Sequence, residues 1–391
     1  MNGYRRPRAR QLLQSSDGPF PEVCIRGAGI VGRTLALLLA RERVRVALVV
    51  PPAPAGKEDI RAYALNAASR TMLESLRAWP DTAHATPVHE MQVHGDDGGR
   101  VQFSAARQKV EALAWIVDVP ALEQQLADAV RFQPLIDVVT EPVAAPLTVV
   151  CEGKASASRA ALGVSYEVTR YPQHAIAARL EAAHTHDGIA RQWFNDRGEV
   201  FALLPLGGVH GKTLALVWSV DQLRVPELVA QSVDEFSAAV SEASHGELGS
   251  LRLTSERAVW PLSRAIADRW SGAMPGQPTQ SWVLAGDAAH TVHPLAGQGL
   301  NLGLADAAAL ADVIRTRDYW RSVGDARLLR RYERARRADV LQMSLATDGL
   351  QQLFSHNLGP LPALRNWGMR GFDRTRFVKH WITAQAMGLK A

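Results

Sequence analysis

Apolar residues run along the chain in two rhythms. Short apolar runs at Glu22–Arg26, Arg45–Val50, Leu147–Cys151 and Trp282–Ala285 are those of strands buried on both faces, as in a parallel sheet covered by helices. Between the first two, Arg33–Arg43 is rich in Ala and Leu and predicts a helix; Pro51–Pro54 ends the second strand. Further helices are predicted over Ala67–Trp79, Pro120–Val130, Val233–Ser244 and Leu300–Arg315, and the last 60 residues are amphipathic and helical in pattern. A second rhythm, strict alternation, marks His89–Phe103, with a turn at Asp96–Gly99 that predicts a hairpin. It returns from Ser165 to Val220, broken by turns at Asp187–Gly188, Asp196–Gly198 and Gly207–Gly211, and predicts a curved antiparallel sheet.

With 391 residues, 47% of them hydrophobic, the chain can build a sizeable core and is not disordered as a whole. The formal charge of +5 comes from scattered arginines without a basic stripe interleaved with aromatics, which speaks against a nucleic-acid partner. Residues 1–20 carry Arg5, Arg6, Arg8 and Arg10 but no apolar stretch of signal-peptide type, and read as a flexible tail; no run of 18 apolar residues offers a membrane span. Two cysteines, Cys24 and Cys151, cannot make a disulfide framework or a cysteine-rich metal site, and Cys24 in its apolar strand reads as a buried, inert thiol.

Chemistry enters with Gly27-Ala28-Gly29-Ile30-Val31-Gly32. A GxGxxG alone says little, but this one follows a strand, opens a helix and leads to a second strand within about 30 residues. Gly27 suits the tight turn, Gly29 leaves room for a pyrophosphate, and Gly32 lets the helix pack closely on the strand. The helix start then offers free N–H groups to the phosphates. The acid that usually ends the second strand and holds a ribose hydroxyl is missing, because that strand ends Val49-Val50-Pro51. Near residue 290, Leu284-Ala285-Gly286-Asp287-Ala288-Ala289-His290 follows a strand, and Pro294-Leu295-Ala296-Gly297-Gln298-Gly299-Leu300-Asn301 opens a helix. Asp287, at a strand end, is placed to accept from a ribityl or ribose hydroxyl, whereas Asp306, a turn into the helix, should matter less. Gly297 and Gly299 let backbone amides approach a flat ring, whose reduced, anionic form the helix dipole favours. His290 and His293 lack a third metal ligand at a supporting spacing and read as loop residues near the ring. No GxSxG elbow surrounds Ser156–Ser158, and Trp79, Trp115, Trp193, Trp260 and Trp282 read as core.

The stretch Gly286–Asn301 resembles the second FAD motif of the class A flavoprotein monooxygenases, which share the para-hydroxybenzoate hydroxylase fold. Within that fold, the chain after residue 22 is similar to the ubiquinone-biosynthesis hydroxylases. The similarity is carried by Arg61-Ala62-Tyr63-Ala64-Leu65 with Ser69, Tyr171-Pro172-Gln173-His174-Ala175-Ile176, Gln192-Trp193-Phe194 leading to Ala202-Leu203-Leu204-Pro205-Leu206, and Trp260-Pro261-Leu262. Arg331-Tyr332-Glu333 and Thr347-Asp348 with Leu353-Phe354 extend it. Two departures stand out. Cys151-Glu152-Gly153 replaces the family's Ala-Asp-Gly before Ser156 and Arg159, and the stretch between Leu126 and Leu147 is shorter than the family's usual strand meander.

The resemblance implies an α/β fold: a Rossmann-like FAD-binding domain with an inserted antiparallel β-sheet substrate domain and C-terminal helices. The division expected is 22–79, 111–163 and 264–345 for the FAD-binding domain, 80–110 and 164–263 for the substrate domain, and 346–391 for a C-terminal helical segment. FAD is the expected cofactor, with NAD(P)H as reductant. Its expected contacts are Gly27, Gly29, Ile30, Val31, Gly32, Arg61, Gly286, Asp287, Pro294, Gly297, Gln298, Gly299, Leu300 and Asn301. No side chain is singled out as catalytic and no metal is expected. The implied reaction is hydroxylation of a prenylated phenol by O2 in ubiquinone biosynthesis; hydroxylation of another aromatic compound, or a flavin-binding accessory role with little turnover, are the alternatives. The expected setting is the cytoplasm, with a peripheral contact to the inner membrane and to other quinone-biosynthesis proteins. Leu350, Leu353, Phe354, Leu358 and Leu361, followed by Arg365, Arg370, Arg374, Arg376 and Lys379, give that contact an apolar face and a basic run.

Overall fold

A computed structural model describes residues 20–51, 59–95, 99–195, 197–292 and 299–355, without the side chains of 344–355. The strands Val23–Arg26, Val46–Val49, Leu147–Val150 and Gln277–Leu284 lie in one six-stranded sheet with Ile136–Val139 and Ser271–Met274. Its order runs Ser271–Met274, Gln277–Leu284, Leu147–Val150, Val23–Arg26, Val46–Val49, Ile136–Val139, with all neighbours parallel except the first pair. The chain leaves Val23–Arg26 toward one neighbour and returns later on its other side, so the strand order reverses between Val23–Arg26 and Leu147–Val150. In an open α/β sheet, that reversal opens a crevice at the carboxyl ends of the strands.

Helix Ile30–Arg41 closes the first crossover. Its Leu- and Ala-rich stretch has high helix propensity, and Leu35, Ala36, Leu39 and Ala40 are buried against the sheet. Each buried leucine contributes roughly 1.5–3 kcal/mol through removal from water. Arg43, in the left-handed region at φ 60°, turns the chain out of the helix toward Val46–Val49. The shortened stretch before Leu147 supplies one strand, Ile136–Val139, at the sheet edge beside Val46–Val49. Cys24 is fully buried and forms a small cluster with Val49 and Ala145; burial raises its thiol pKa, which keeps it protonated and unreactive.

The alternating stretches form a nine-stranded, mainly antiparallel sheet. Tyr166–Ala182 is its long central strand, paired with Thr213–Asp221 on one side and Ala258–Ala267 on the other. Motifs far apart in sequence meet as strand partners: His174 faces Pro261 and Ala175 faces Trp260, while Gln192 and Trp193 face Ala202 and Phe201. One face packs against helices Val225–Ala230 and Val233–Ala243 through Trp193, Phe201, Trp218 and Phe236, with successive ring centroids 5.6, 5.3 and 6.3 Å apart. Trp115, Trp193 and Trp282 are core residues as read from the sequence. Trp260 is not: at 37% exposure it lies at the surface beside the exposed Pro261, next to the register shift where the pairing with Tyr166–Ala182 is interrupted between Arg170 and His174.

A small sheet that the hydrophobic pattern did not announce joins the two parts. Strands Ala62–Leu65, Ala114–Asp118 and Ala85–Val88 pair antiparallel. Ala62 and Ala64 pack with Val88, Ile116, Ala190, Leu206 and Ala215, and the intervening Tyr63 packs on the core of the parallel-sheet domain. Hydrogen bonds from Arg179 to the Ile60 and Arg61 carbonyls, and to the Asp118 carboxylate, fasten this bridge to the large sheet. The long helix Ala326–Ser355 closes the parallel-sheet domain. Among the described residues, no helix is long and apolar enough to cross a membrane.

Candidate functional site

The GxGxxG turn stands at the strand-order reversal. Gly27 has φ +105°, and a Cβ there would lie 2.5 Å from the Cys151 carbonyl oxygen on the neighbouring strand's exit. At Gly32 a Cβ would lie 1.9 Å from the Gly27 carbonyl oxygen, so only glycine allows the helix to sit this close. Gly29 differs from both: nothing lies within 4 Å of where its Cβ would be, and its φ is −74°. The space above Gly29 is open, and the helix behind it has no side-chain cap and no acid in its first turn. Its free N–H groups and positive dipole end therefore face that space, as an anionic diphosphate requires.

The second motif packs directly on the first. Gly286 has φ +63°, and its Cβ position lies 3.4 Å from a Val31 methyl group; that of Gly303 lies 2.8 Å from the same methyl. The turn Gly286–Ala288 is one 3-10 turn, held from several sides. Tyr166 Oη donates to the Asp287 carbonyl at 2.8 Å and shares a hydrogen bond with Thr291. Arg159, buried and lying 3.6 Å from the Tyr166 ring centroid, donates to the Ala288 carbonyl at 3.1 Å. The Asp287 side chain is left open to solvent, free to accept from a ligand hydroxyl. Crowding by protein costs its carboxylate some hydration, and this outweighs His290, Lys154 and Arg61, so its pKa is raised.

Asp306 has partners that the sequence did not announce: it is fully buried and accepts from Gly286 N at 2.9 Å, His290 Nε2 at 2.6 Å and Arg336 Nε at 2.7 Å. One sequence reading needs correction here: His290 is not a loop residue. It is buried in the short strand His290–Thr291, pairs with Ile266 and stacks on Trp270 at 5.0 Å. A mid-helix Asp and a His after small residues carry no sequence mark of burial; their spacing to Arg336 appears only in the fold.

Arg61 lies near enough to Asp287 for their charges to interact. Its guanidinium is paired with Asp59, Nε to Oδ1 at 2.9 Å, a partner the sequence reading missed. The Asp59 hydrogen bonds outweigh partial burial and raise the Arg61 pKa. Asn301 is buried and spends its side chain inside the protein, accepting from Asn66 N at 3.0 Å and Ser69 Oγ at 2.8 Å and donating to the Ala64 carbonyl at 2.8 Å. It thereby ties the start of helix Gly299–Arg315 to the segment after Arg61. Glu152 accepts from Ser156 Oγ, Ser158 N and Ser158 Oγ at 2.7, 3.0 and 2.6 Å. Its extra methylene lets it reach the start of helix Ala157–Ala161; burial would raise its pKa, but these hydrogen bonds hold it lowered. Pro294, Gly297, Gln298 and His293 lie outside the described residues, as does the basic run after Pro360.

An uncapped helix start at a strand-order reversal and an open approach over Gly29, with the strand-end acid Asp287 on a turn that packs against Val31, define a dinucleotide-binding site. The profile of the FAD-binding domain family matches residues 135–346, more than half of the chain, and the chain belongs to that family. Among curated relatives, the 3-demethoxyubiquinol 3-hydroxylase of Escherichia coli is 29% identical, over 94% of this chain and 98% of its own length. The ubiquinone hydroxylase UbiL of Rhodospirillum rubrum is 28% identical over 98% and 93%. Among solved structures, PqsL of P. aeruginosa in complex with 2-aminobenzoylacetate superposes with a TM-score of 0.73, at 22% identity, over 90% of this chain and 99% of its own. HpxO of Klebsiella pneumoniae, complexed with FAD, gives 0.69 at 16% identity over 95% and 99%. The protein is a flavin-dependent monooxygenase with FAD as its cofactor.

Proposed function

We propose that the chain hydroxylates the ring of a prenylated phenol in ubiquinone biosynthesis, using FAD, O2 and NAD(P)H. The observation that carries the substrate is full-length similarity to two ubiquinone hydroxylases; the motifs that carry the family resemblance pair on adjacent strands, His174 with Pro261, and Gln192 and Trp193 with Ala202 and Phe201. Bound FAD supplies electron transfer and oxygen activation, chemistry that side chains lack. The protein's own part is to bind, orient and exclude water.

In this reading the pyrophosphate lies over Gly29, against the N–H groups of Ile30, Val31 and Gly32, with Gly27 making the turn. Asp287 accepts a hydroxyl of the sugar or ribityl chain, and Gly286 lets the backbone come close. Arg61 reaches the cofactor from just before the bridging strand Ala62–Leu65. Gly299, Leu300 and Asn301 present the start of their helix to the ring, where its positive end favours the anionic reduced form; the reading also assigns Pro294, Gly297 and Gln298 to the cofactor. Glu152 already caps its own helix, so it holds the Cys151–Gly153 exit in place rather than serving as a free acid. The apolar layer of Ala64, Ile116, Ala190, Leu206 and Ala215 between the sheets keeps water from the bridge.

A prenyl tail is met at a bilayer. The pattern of residues 349–379 supports a weak, reversible contact with an anionic membrane, which co-sedimentation with anionic liposomes would detect as salt-sensitive binding. A strain lacking this gene and any redundant hydroxylase should accumulate an under-hydroxylated prenylphenol. Normal quinone levels in that strain would instead favour hydroxylation of another aromatic compound.

A further inference from the structure

We infer that Asp306, Arg336 and His290 are positioning residues for the cofactor, through which the C-terminal helix sets the Gly286–Asp287 turn and hence FAD affinity. The inference rests on the FAD site described above. Asp306 is fully buried and its two carboxylate oxygens serve different elements: Oδ2 takes Gly286 N and His290 Nε2, and Oδ1 takes Arg336 Nε. Gly286 is the residue just before Asp287, and its N–H fixes the turn that aims the Asp287 side chain outward.

Arg336 reaches this point from helix Ala326–Ser355, donating also to the Leu302 carbonyl at 3.2 Å and to Asp339 at 2.6 Å. The same helix grips the sheet beside the turn. Tyr332 Oη donates to the Leu284 carbonyl at 3.0 Å, and Glu333 accepts from Trp270 N at 3.0 Å and Ser271 Oγ at 2.7 Å. Trp270 in turn stacks on His290. Asp306 thus stands between the flavin turn and the terminal helix, and each of its buried hydrogen bonds leaves a charged or polar partner stranded if it is lost. The arrangement has the form of a support behind a binding residue, fixing backbone that contacts ligand without touching ligand itself. Merely structural burial would need no bond to Gly286 N.

The test compares wild type, Asp306→Ala, Asp306→Asn, Arg336→Lys and Tyr332→Phe. Tyr332→Phe removes a buried hydrogen bond of the same helix that does not reach Gly286. For each, the FAD Kd is measured by flavin fluorescence quenching, and the melting temperature of the apo-protein is measured separately. Asp306→Ala should raise the Kd at least tenfold. Asp306→Asn keeps an acceptor for Gly286 N and should raise it less, and Arg336→Lys should fall between wild type and Asp306→Ala. Tyr332→Phe should lower the melting temperature while its Kd stays within threefold of wild type. If Asp306→Ala does not fold, the Asn and Lys variants carry the comparison. A Kd within twofold of wild type in both of those, or a Kd that follows apo-protein melting across the whole set with Tyr332→Phe on the same line, overturns the inference. Failure of wild type itself to bind FAD would overturn the site, a different outcome.

Discussion

Ser69 Oγ donates to Asn301 Oδ1 at 2.8 Å across 232 residues of sequence, and Asn66 N and the Ala64 carbonyl share the same side chain. One amide thereby joins the helix that follows the second flavin motif to the strand that follows Arg61. Asn301→Ala should strand three buried polar groups and destabilise the protein by about 1–3 kcal/mol, since an unsatisfied buried group costs about that much. Urea unfolding of the apo-protein measures it; a loss below about 0.5 kcal/mol would show that the junction is held elsewhere.

The glycines of the first motif should separate under substitution. Gly29 has an ordinary φ and open space, so Gly29→Val should leave apo-protein stability within about 0.5 kcal/mol of wild type. FAD binding should nevertheless be lost, because the branched side chain fills the space reserved for the pyrophosphate. Strain toward positive φ plays no part at this position; it belongs to Gly27. Gly27→Val should fail to yield folded protein, since its Cβ would collide with the Cys151 carbonyl at a φ of +105°. Equal behaviour of the two variants in thermal melts would contradict this division.

At Asp287, function and stability should part. Its raised pKa means the folded apo-protein pays for keeping that carboxylate charged at neutral pH, a penalty that disappears as pH falls below the raised value. Asp287→Asn should therefore melt no lower than wild type at pH 7, yet bind FAD more weakly. A variant that binds FAD as tightly as wild type would remove Asp287 from the site.

Glu152 has the opposite sign. Its folded pKa is depressed, so the stability it contributes is complete above the ordinary glutamate value, about 4.3, and is lost as pH falls through the depressed folded value. Glu152→Gln should cost about 1 kcal/mol at pH 7, of the order of the difference between a charge-assisted and a neutral hydrogen bond. The gap between the two proteins should close below about pH 4. A gap that is constant with pH would mean that the hydrogen bonds from Ser156 and Ser158 do not depend on charge.

These expectations show which residues could be read from sequence. Gly27 and Gly32 were legible because backbone contact leaves glycine no substitute, and the parallel strands because burial on both faces makes their apolar runs continuous. The strand-end position of Asp287 was legible because it follows such a run directly. The bridging strand Ala62–Leu65 was not read as a strand by periodicity: four residues alternating Ala, Tyr, Ala, Leu give too short a pattern, and their burial comes from two different sheets. The burial of Asp306 was not legible for a related reason. Helical spacing says which residues share a face, but the partners that make its burial tolerable, His290 and Arg336, come from a strand and from another helix. Trp260 was misplaced because a large aromatic is usually core, whereas it lies in an exposed pair with Pro261 beside an irregularity in strand pairing that the sequence does not mark.

The central claim is that this fold delivers an oxygen atom from O2 to a phenol ring. The direct measurement uses purified FAD-loaded protein, NAD(P)H, isotopically labelled O2 and a short-chain prenylphenol, with mass analysis of the product and parallel recording of oxygen uptake. The account predicts substrate-stimulated oxygen uptake and one labelled oxygen atom on the ring of the product. Flavin reduction with oxygen uptake that yields only hydrogen peroxide, and no labelled phenol across a series of prenylphenols, would contradict it.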